Sequence, residues 1–409
     1  MRRYDEDLWG LEDGVAHLNH GSYGAVPVPV REAQLEASRA IERSPERFYR
    51  ERLRPALAAS RVTVGAFLGV DPDAIALVEN ATSGVQLALD AIELERGQEI
   101  VVTDHGYPWV RAAVERVAAR LGGRVRTAEL PRSWMHGVDP EALVAAIGGA
   151  VTSRTALVIV DQITSGTALA LDAAAVVRAL GQAVPVLVDG AHAPGLIDAP
   201  VTDGAPVTDG APVTDGAPVT DGAPVTDGAP VTGGPDFWVG NLHKWAFAPR
   251  TAAVLYASPR YRARVRPPVA SADAALGFPR AFDYLGTQDP SAYLALPAAL
   301  DFPRAHLGLD FAGLRARNRS VLAEGLAVLD AHAGLVASAD QGIPMRTVPL
   351  GIEGDGAAAQ AWMERLWAEG IEVAVVPIAG SLHLRLSCQA YVEAEDFVRL
   401  ADVLAGWVG

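Results

Sequence analysis

The sequence predicts an α/β protein with a mostly parallel sheet covered by helices, followed by a smaller α+β domain. Short apolar runs typical of buried strands occur at residues 99–103, 156–161, 184–189, 236–240 and 252–256. Stretches with apolar residues at helical spacing lie between them, at residues 108–121, 140–147 and 173–180. Such alternation favours parallel strands joined by covering helices.

The C-terminal part of the chain has a different pattern. From about residue 290, long Ala- and Leu-rich helical stretches occupy residues 291–306, 312–332, 357–369 and 394–407. Only two strand-like runs accompany them, at residues 372–376 and 382–386. A chain of 409 residues exceeds one ordinary core. We therefore predict an N-terminal segment (1–20), a large domain (21–280) and a small domain (281–409).

Composition and charge restrict the possible partners. Half of the residues are apolar and 20% are charged, which is typical of a globular protein. The net charge is -15 and no Lys/Arg cluster stands out, so we expect neither nucleic acid nor an anionic membrane as a partner. We expect no signal peptide, no membrane span and a cytoplasmic location. A single cysteine, Cys388, excludes an internal disulfide and a cysteine-based zinc site, and we expect no metal.

A six-residue repeat interrupts the large domain at residues 199–234. The unit Ala-Pro-Val-Thr-Asp-Gly occurs in five identical copies up to Gly228, and a degenerate copy follows. A proline and a glycine in every unit oppose both helix and central strand. One valine per unit cannot supply the apolar stacks of a β-helix. We predict an exposed loop, and removing the 30 residues of the identical copies shortens the 55-residue spacing between Asp189 and Lys244 to 25.

Asp189 and Lys244 form the most informative pair of residues. Each follows an apolar strand-like run, so both are expected at strand ends on one edge of the sheet. An acid and an amine placed in this way suit pyridoxal phosphate, which needs a carboxylate at its ring nitrogen and an amine for a Schiff base. The alternatives are a surface lysine and a helix cap. An unpaired carboxylate at a buried strand end would be costly, which favours the cofactor.

A segment of small polar residues, from Asn80 to Gly84, precedes a helical stretch at residues 85–92. Free backbone N–H groups at a helix start bind anions, so this segment is a candidate phosphate site. An ordinary N-cap by Thr82 or Ser83 is the alternative interpretation.

These segments together resemble the fold-type-I pyridoxal-phosphate enzymes of aminotransferase class V, in particular the isopenicillin N epimerase-like branch. The resemblance runs through nearly the whole chain, at residues 18–24, 79–84, 189–192, 241–245, 286–289, 384–387 and Tyr391. It implies a large domain with a seven-stranded-type sheet and an N-terminal segment near the active site. It also implies that Lys244 is catalytic and that Asp189 contacts the ring nitrogen. One departure is Val392, which stands where the family usually has asparagine.

The resemblance further implies roles for residues around the cofactor and the substrate. His192, or Thr164 and Ser165, would contact the phenolic oxygen of the cofactor, and Tyr107 or else His105 would stack on its ring. The residues implied at the phosphate are Ala81, Thr82, Asn241, His243 and, from the neighbouring subunit of a homodimer, Thr287. Arg385 would bind the substrate carboxylate with two parallel hydrogen bonds. Asn19, His20 and Ser22 would be on the substrate side, with a capped surface turn as the alternative.

The sequence predicts one cofactor but leaves several reactions open. Cysteine desulfuration is disfavoured, because residues 370–383 contain no cysteine and Cys388 follows Arg385 by only three positions. Epimerisation needs a second base, for which His20, His105 and Tyr107 are candidates. We predict an enzyme that acts at Cα of an amino acid or amino-acid conjugate, as an epimerase or a β-eliminating C–S lyase. The alternatives are an aminotransferase, a desulfurase-like enzyme, and a non-catalytic protein that uses the repeat as an interaction arm.

Overall fold

The computed structural model describes residues 8–181, 183–201 and 234–408. Its strands are β1 (Ala16–His17), β2 (Ile75–Val78), β3 (Glu99–Thr103), β4 (Arg124–Ala128), β5 (Thr155–Asp161), β6 (Val186–Asp189), β7 (Phe237–Asn241), β8 (Ala253–Ala257), β9 (Met345–Glu353), β10 (Ile371–Glu372), β11 (Ala374–Ile378) and β12 (Ser381–Ser387). Its helices are α1 (His20–Tyr23), α2 (Val28–Glu42), α3 (Pro45–Arg47), α4 (Leu53–Leu68), α5 (Ala81–Ala91), α6 (Pro108–Leu121), α7 (Pro140–Ala150), α8 (Ala173–Leu180), α9 (Ser291–Leu294), α10 (Leu296–Phe302), α11 (Phe311–Ala333), α12 (Gly356–Ala368) and α13 (Ala394–Val408).

The large sheet has seven strands within the described residues, in the order β2-β8-β7-β6-β5-β3-β4. Strand β8 is antiparallel to both of its neighbours, and the remaining pairs are parallel. The predicted α/β class with a mostly parallel sheet is therefore confirmed. The sequence pattern missed the two edge strands, β2 and β4. β2 is a run of only four residues, and β4 carries exposed or half-buried arginine and threonine instead of a continuous apolar run.

Strand polarity brings the chemically informative residues to one edge of the sheet. Strands β5 and β6 end side by side, with Asp161 in register with Asp189. Strand β7 ends at Asn241, three residues before Lys244. Because β2, β3, β5, β6 and β7 all point the same way, their carboxyl ends and the loops that follow them meet at this edge.

The C-terminal part of the chain forms a separate antiparallel sheet with the order β11-β12-β9. The N-terminal segment joins it, because β1 pairs with β10 and Asn19 forms an isolated bridge with Ser387. This pairing places the N-terminal segment beside β12, the strand that carries Arg385. The division of the chain at residues 20 and 280 stays a prediction.

Along the chain the repeat lies between β6 and β7. Pro200 and Val201 are buried, and the carbonyl of Pro200 accepts a hydrogen bond of 2.8 Å from Nε2 of Gln162. The indole nitrogen of Trp238 donates to Oε1 of the same glutamine, at 2.8 Å. Residues 202–233 lie outside the described residues, and so does most of the predicted exposed loop.

Helices α11 and α13 pack at close range because of one glycine. A Cβ atom on Gly325 of α11 would overlap the ring of Phe397 on α13, and Phe397 is fully buried. We expect Gly325→Ala to lower the free energy of unfolding by about 1–3 kcal/mol, because an added methyl group must push the helices apart. Urea unfolding followed by circular dichroism measures this change.

Gly406 provides the matched control for this substitution. It lies in α13, the helix that carries Phe397, but nothing comes within 4 Å of its Cβ position. Gly406→Ala should leave stability unchanged or raise it by up to about 1 kcal/mol, through helix propensity alone. Equal effects of the two substitutions would contradict the close packing at Gly325.

Candidate active site

A cavity of about 680 Å³ opens at the carboxyl edge of the large sheet. It is bounded by the ends of β5, β6 and β7 and by the first turns of α5 and α6. Ten of the residues proposed from the sequence line it: Ser22, Ala81, Thr82, Tyr107, Ser165, Asp189, His192, Asn241, His243 and Lys244. The edge of the sheet therefore brings together an amine, a carboxylate and a helix start in one cleft.

The side chain of Lys244 lies against the ring of His192, with 3.0 Å between Nζ and Nε2. On the other side of this ring, the indole nitrogen of Trp245 donates to Nδ1 at 3.3 Å. An indole nitrogen can only donate, so the ring proton of a neutral His192 belongs on Nε2. That proton can point to the lone pair of an uncharged amine, so the contact favours neutral Lys244.

Electrostatics favours the same protonation state. Burial and, to a smaller extent, the positive charge of Arg385 together lower the pKa of Lys244 to about 7, while Asp189 opposes the shift. Burial and the charge of Lys244 also hold the pKa of His192 well below its usual range. At neutral pH a large fraction of Lys244 is therefore a free amine, the form that acts as a nucleophile or a base.

The N-terminal segment forms a hydrogen bond with the backbone of Lys244. Nε2 of His20 donates to the Lys244 carbonyl at 3.0 Å, and Nδ1 of His20 lies 2.8 Å from the hydroxyl of Tyr391. Burial lowers the pKa of His20 to about 3, so its ring is neutral. Gly24 approaches this backbone so closely that any Cβ atom there would collide with it. The ring of His20 thus contacts the backbone of Lys244 and does not line the cavity.

Asp189 ends β6 with its side chain almost fully buried. Its Oδ1 accepts a hydrogen bond of 2.9 Å from the backbone N–H of Ala191. Burial raises the pKa of Asp189, whereas this N–H and the charge of Lys244 favour its ionised form. A protonated ring nitrogen would complete the set of partners that a buried carboxylate needs.

Arg385 is a buried cation held by neutral oxygen atoms. Nη1 donates to the carbonyl of Ser165 at 2.8 Å, and Nη2 donates to Oδ1 of Asn19 at 2.8 Å and to Oγ of Ser22 at 2.6 Å. Nε has no partner, and no carboxylate among the described residues forms an ion pair with this guanidinium. Burial lowers its pKa to about 10, so it stays charged at neutral pH. An uncompensated buried cation of this kind needs an anionic ligand.

The first turn of α5 faces the other end of the cavity. Oδ1 of Asn80 caps the helix by accepting from the N–H of Ser83, and Oδ1 of Asn241 accepts from the N–H of Ala81, both at 2.8 Å. Burial lowers the pKa of His243 to about 4, and its Nδ1 lies 3.1 Å from the Ala252 carbonyl. Thr82 lines the cavity between these capped positions. The helix start therefore offers the positive end of a helix dipole to a phosphate.

Several residues proposed from the sequence lie elsewhere. His105 lines a neighbouring cavity, where Nδ1 lies 3.0 Å from the Thr167 hydroxyl, so of the two candidates for ring stacking only Tyr107 lines the candidate site. Thr164 is fully buried, with its hydroxyl 2.7 Å from that of Thr167. Thr287 is exposed and does not line the cavity.

Among the lining residues absent from the proposed set, those with aromatic or charged side chains are Tyr23, Trp109, Arg116 and Asp161. Of these, Asp161 had a usable signal, since it ends an apolar run next to the one that ends at Asp189. The other three lie on helices, where the sequence pattern does not indicate which way a side chain points.

Comparisons with known proteins agree with this geometry. The family model for "Aminotransferase class-V" matches residues 36–202. The isopenicillin N epimerase of Streptomyces clavuligerus is 28% identical, over 98% of this chain and 96% of that protein. The "Probable L-cysteine desulfhydrase, chloroplastic" of Arabidopsis thaliana is 25% identical, over 96% of this chain and 83% of that protein.

Solved structures share the fold. The cystine C–S lyase C-DES, in complex with its product cysteine persulfide, superposes with a TM-score of 0.75 at 19% identity, over 96% of this chain and 97% of that one. The cysteine desulfurase CsdA of Escherichia coli gives 0.70 at 17% identity, over 97% and 95% of the two chains. A structure of a C-DES variant carries pyridoxal phosphate. The residues present here fit this cofactor, because a buried carboxylate, a free amine and a helix start face one cleft.

The low pKa of Lys244 can be measured directly, because Lys244 is the only lysine in the sequence. In cofactor-free protein labelled with ¹³C-lysine, we expect one side-chain NMR signal that titrates with a midpoint near pH 7. The amine is charged below this pH and neutral above it. An ordinary lysine titrates at about 10.4, so a midpoint there would contradict the buried environment.

Two variants test the causes of this shift. Arg385→Met should raise the midpoint, because it removes a positive neighbour of the ammonium group. Asp189→Asn should lower the midpoint, because it removes a negative one.

Proposed function

We propose that the chain is a pyridoxal-phosphate enzyme of the aminotransferase class-V family, whose model matches residues 36–202, and that it is a β-eliminating C–S lyase acting on a small cysteine-type amino acid. Members of this group of epimerases and lyases act at Cα of amino acids, and they differ in the bond that breaks next. The observation that favours elimination is the presence of Lys244 as a single free amine in a cavity whose two histidines are already engaged, His192 with Lys244 itself and His243 with the Ala252 carbonyl.

Arg385 supports an amino acid as the substrate. Its buried charge has no carboxylate partner among the described residues, and Nε remains available for a hydrogen bond. Asn19, Ser22 and Ser165 hold its Nη atoms in a fixed plane. A planar guanidinium held in this way can orient the α-carboxylate, and with it the Cα–H bond, towards Lys244.

Lys244 supports the proton transfers that elimination requires. Bound pyridoxal phosphate supplies an electron sink that stabilises negative charge at Cα. With a pKa of about 7, the Lys244 amine can take the Cα proton and then give a proton to the departing sulfur at neutral pH. Asp189 holds a proton at the ring nitrogen, and the ring of His192 orients the amine. In sum, L-cysteine and water would give hydrogen sulfide, pyruvate and ammonia.

The candidate second bases argue against a two-base epimerase. His20 lies behind the Lys244 backbone, and His105 lines a different cavity. Tyr107 does face the cavity, but burial raises the pKa of its phenol, which therefore stays protonated at neutral pH. Elimination needs only one base, and the relatives named as desulfhydrases or as a C–S lyase are consistent with it.

Persulfide formation on the enzyme is not supported either. Cys388 is completely buried just after β12, and burial raises the pKa of its thiol. A protonated and inaccessible thiol cannot attack a substrate sulfur atom.

We also propose a cytoplasmic homodimer with shared active sites. Thr287 follows Gly286, which borders an apolar groove with Ser83 of α5, next to the candidate phosphate site. Such a groove beside the site suits a second copy of the chain that contributes Thr287 to the neighbouring cavity. Within the described ranges, no helix combines the length and apolarity that a membrane crossing requires.

Incubation of the protein with pyridoxal phosphate and L-cysteine tests the proposed reaction. We expect sulfide and pyruvate in equal amounts, and Lys244→Ala should lower the rate at least about 10³-fold, because it removes the base. Proton NMR in deuterated buffer separates the competing reactions. Loss of the Cα signal with intact substrate and no pyruvate would instead identify an epimerase.

Arg385→Lys tests the binding of the carboxylate. We expect KM for the amino acid to rise about 10- to 100-fold, since lysine lacks both the free Nε–H of Arg385 and the planar group that Asn19, Ser22 and Ser165 hold in place. Arg304→Lys, at an exposed position in an ion pair with Asp301, is the matched control and should change neither KM nor kcat. An unchanged KM in Arg385→Lys would show that the carboxylate binds elsewhere.

A further inference from the structure

Asp161 is a second carboxyl group at the cavity, and the proposed reaction does not use it. It ends β5 in register with Asp189 at the end of β6. Registered residues of neighbouring parallel strands project to the same face of a sheet. Both side chains are buried, with 5% and 3% of their surface exposed, and both line the same cavity.

The surroundings of the two carboxyl groups differ. Asp189 accepts the Ala191 N–H and lies near Lys244, and both neighbours favour its ionised form. Asp161 has no ion-pair partner among the described residues, and burial together with the charge of Asp189 raises its pKa well above the usual range. Two buried carboxylates side by side cannot both ionise without a large electrostatic cost.

A neutral group with unused hydrogen-bonding capacity borders the same glycine, Gly106, as Asp161. The hydroxyl of Thr103, at the end of β3, is buried and has no hydrogen-bond partner. Oγ1 of Thr103 and Oδ2 of Asp161 lie 3.7 and 3.6 Å from the point that a Cβ atom on Gly106 would occupy. Neither Thr103 nor Gly106 carries a charge that could compensate an ionised Asp161.

We propose that Asp161 is a positioning residue that holds a proton at neutral pH and shares it with Asp189. The pair then presents one negative charge to the ring nitrogen of pyridoxal phosphate. A carboxylate that accepts a hydrogen bond from a neighbouring acid is less basic and has a fixed orientation. Asp161 thereby sets how firmly Asp189 holds the proton of the ring nitrogen. The assignment rests on the use of pyridoxal phosphate and not on which substrate bond breaks.

The other titratable groups at this cavity are Tyr23, Tyr107, Arg116, His192, His243 and Lys244. Arg385 adds its charge from β12, and Asp104 and His105, after β3, line the neighbouring cavity. Lys244, as the only lysine, reports on the charge of the pair without any cofactor.

The first test is the NMR titration of Lys244 in cofactor-free protein. An amide has the shape and charge of a protonated acid, so Asp161→Asn should leave the midpoint within about 0.2 pH units of wild type if Asp161 is neutral. Asp189→Asn, the matched control, should lower the midpoint by on the order of one unit. A fall of similar size in Asp161→Asn would show that Asp161 is ionised and would overturn the proposal.

Infrared spectroscopy provides a direct second test. Wild-type protein at neutral pH should show a protonated-carboxyl band that is missing from Asp161→Asn. Identical spectra of the two proteins in that region would contradict the shared proton. Neither this readout nor the lysine titration depends on turnover, so a failure of the proposed C–S lyase activity leaves both informative.

Protein with bound pyridoxal phosphate shows whether Asp161 and Asp189 together change the titration of the cofactor. Asp161→Ala removes the hydrogen-bond donor, so Asp189 becomes more basic and the pH midpoint of the cofactor absorbance should move upward. Asp161→Asn keeps the donor and should retain the wild-type midpoint. Equal shifts in both variants would overturn the proposal, and if Asp161→Ala does not fold, the Asn variant decides alone.

Discussion

The candidate site depends on keeping an amine uncharged inside the protein. Lys244 is buried, and the neighbouring charge with the largest effect on it, that of Arg385, is also positive. Both conditions disfavour an ammonium ion, and Asp189 offsets them only in part. The surrounding groups suit this state, since His192 is held by Trp245 in the tautomer that can face a lone pair. The features that make Lys244 costly to protonate are therefore the ones that make it reactive.

Two distant parts of the chain build the substrate end of the cleft. Arg385 comes from a strand of the C-terminal sheet, whereas Asn19 and Ser22 come from the N-terminal segment. The pairing of β1 with β10 holds these parts together. The same segment supports the Lys244 carbonyl through His20. One short stretch thus links the orientation of the substrate to the position of the base.

The sequence predicted an element best where the spacing of its apolar residues matches the face that it buries in the fold. β3 and α6 have the bounds that their apolar patterns predicted, and the strand-end positions of Asp189 and Lys244 followed from the same patterns. Side-chain direction was harder to predict. His105 and Tyr107 are two residues apart, and only the turn before α6 decides that Tyr107 faces the cavity. His20 looked like a substrate contact because a motif does not show that its ring turns towards Tyr391.

The separation of Asn19 from Arg385 by 366 positions also has a consequence for the order of assembly during synthesis. The strands that carry Asp189 and Lys244 leave the ribosome long before β12, and domains generally fold as units in chain order. The cofactor end of the cleft can therefore form while the substrate end is still being made. Until the last strands emerge, the N-terminal segment lacks its pairing partner β10. A nascent chain can thus be competent to bind cofactor before it can select a substrate.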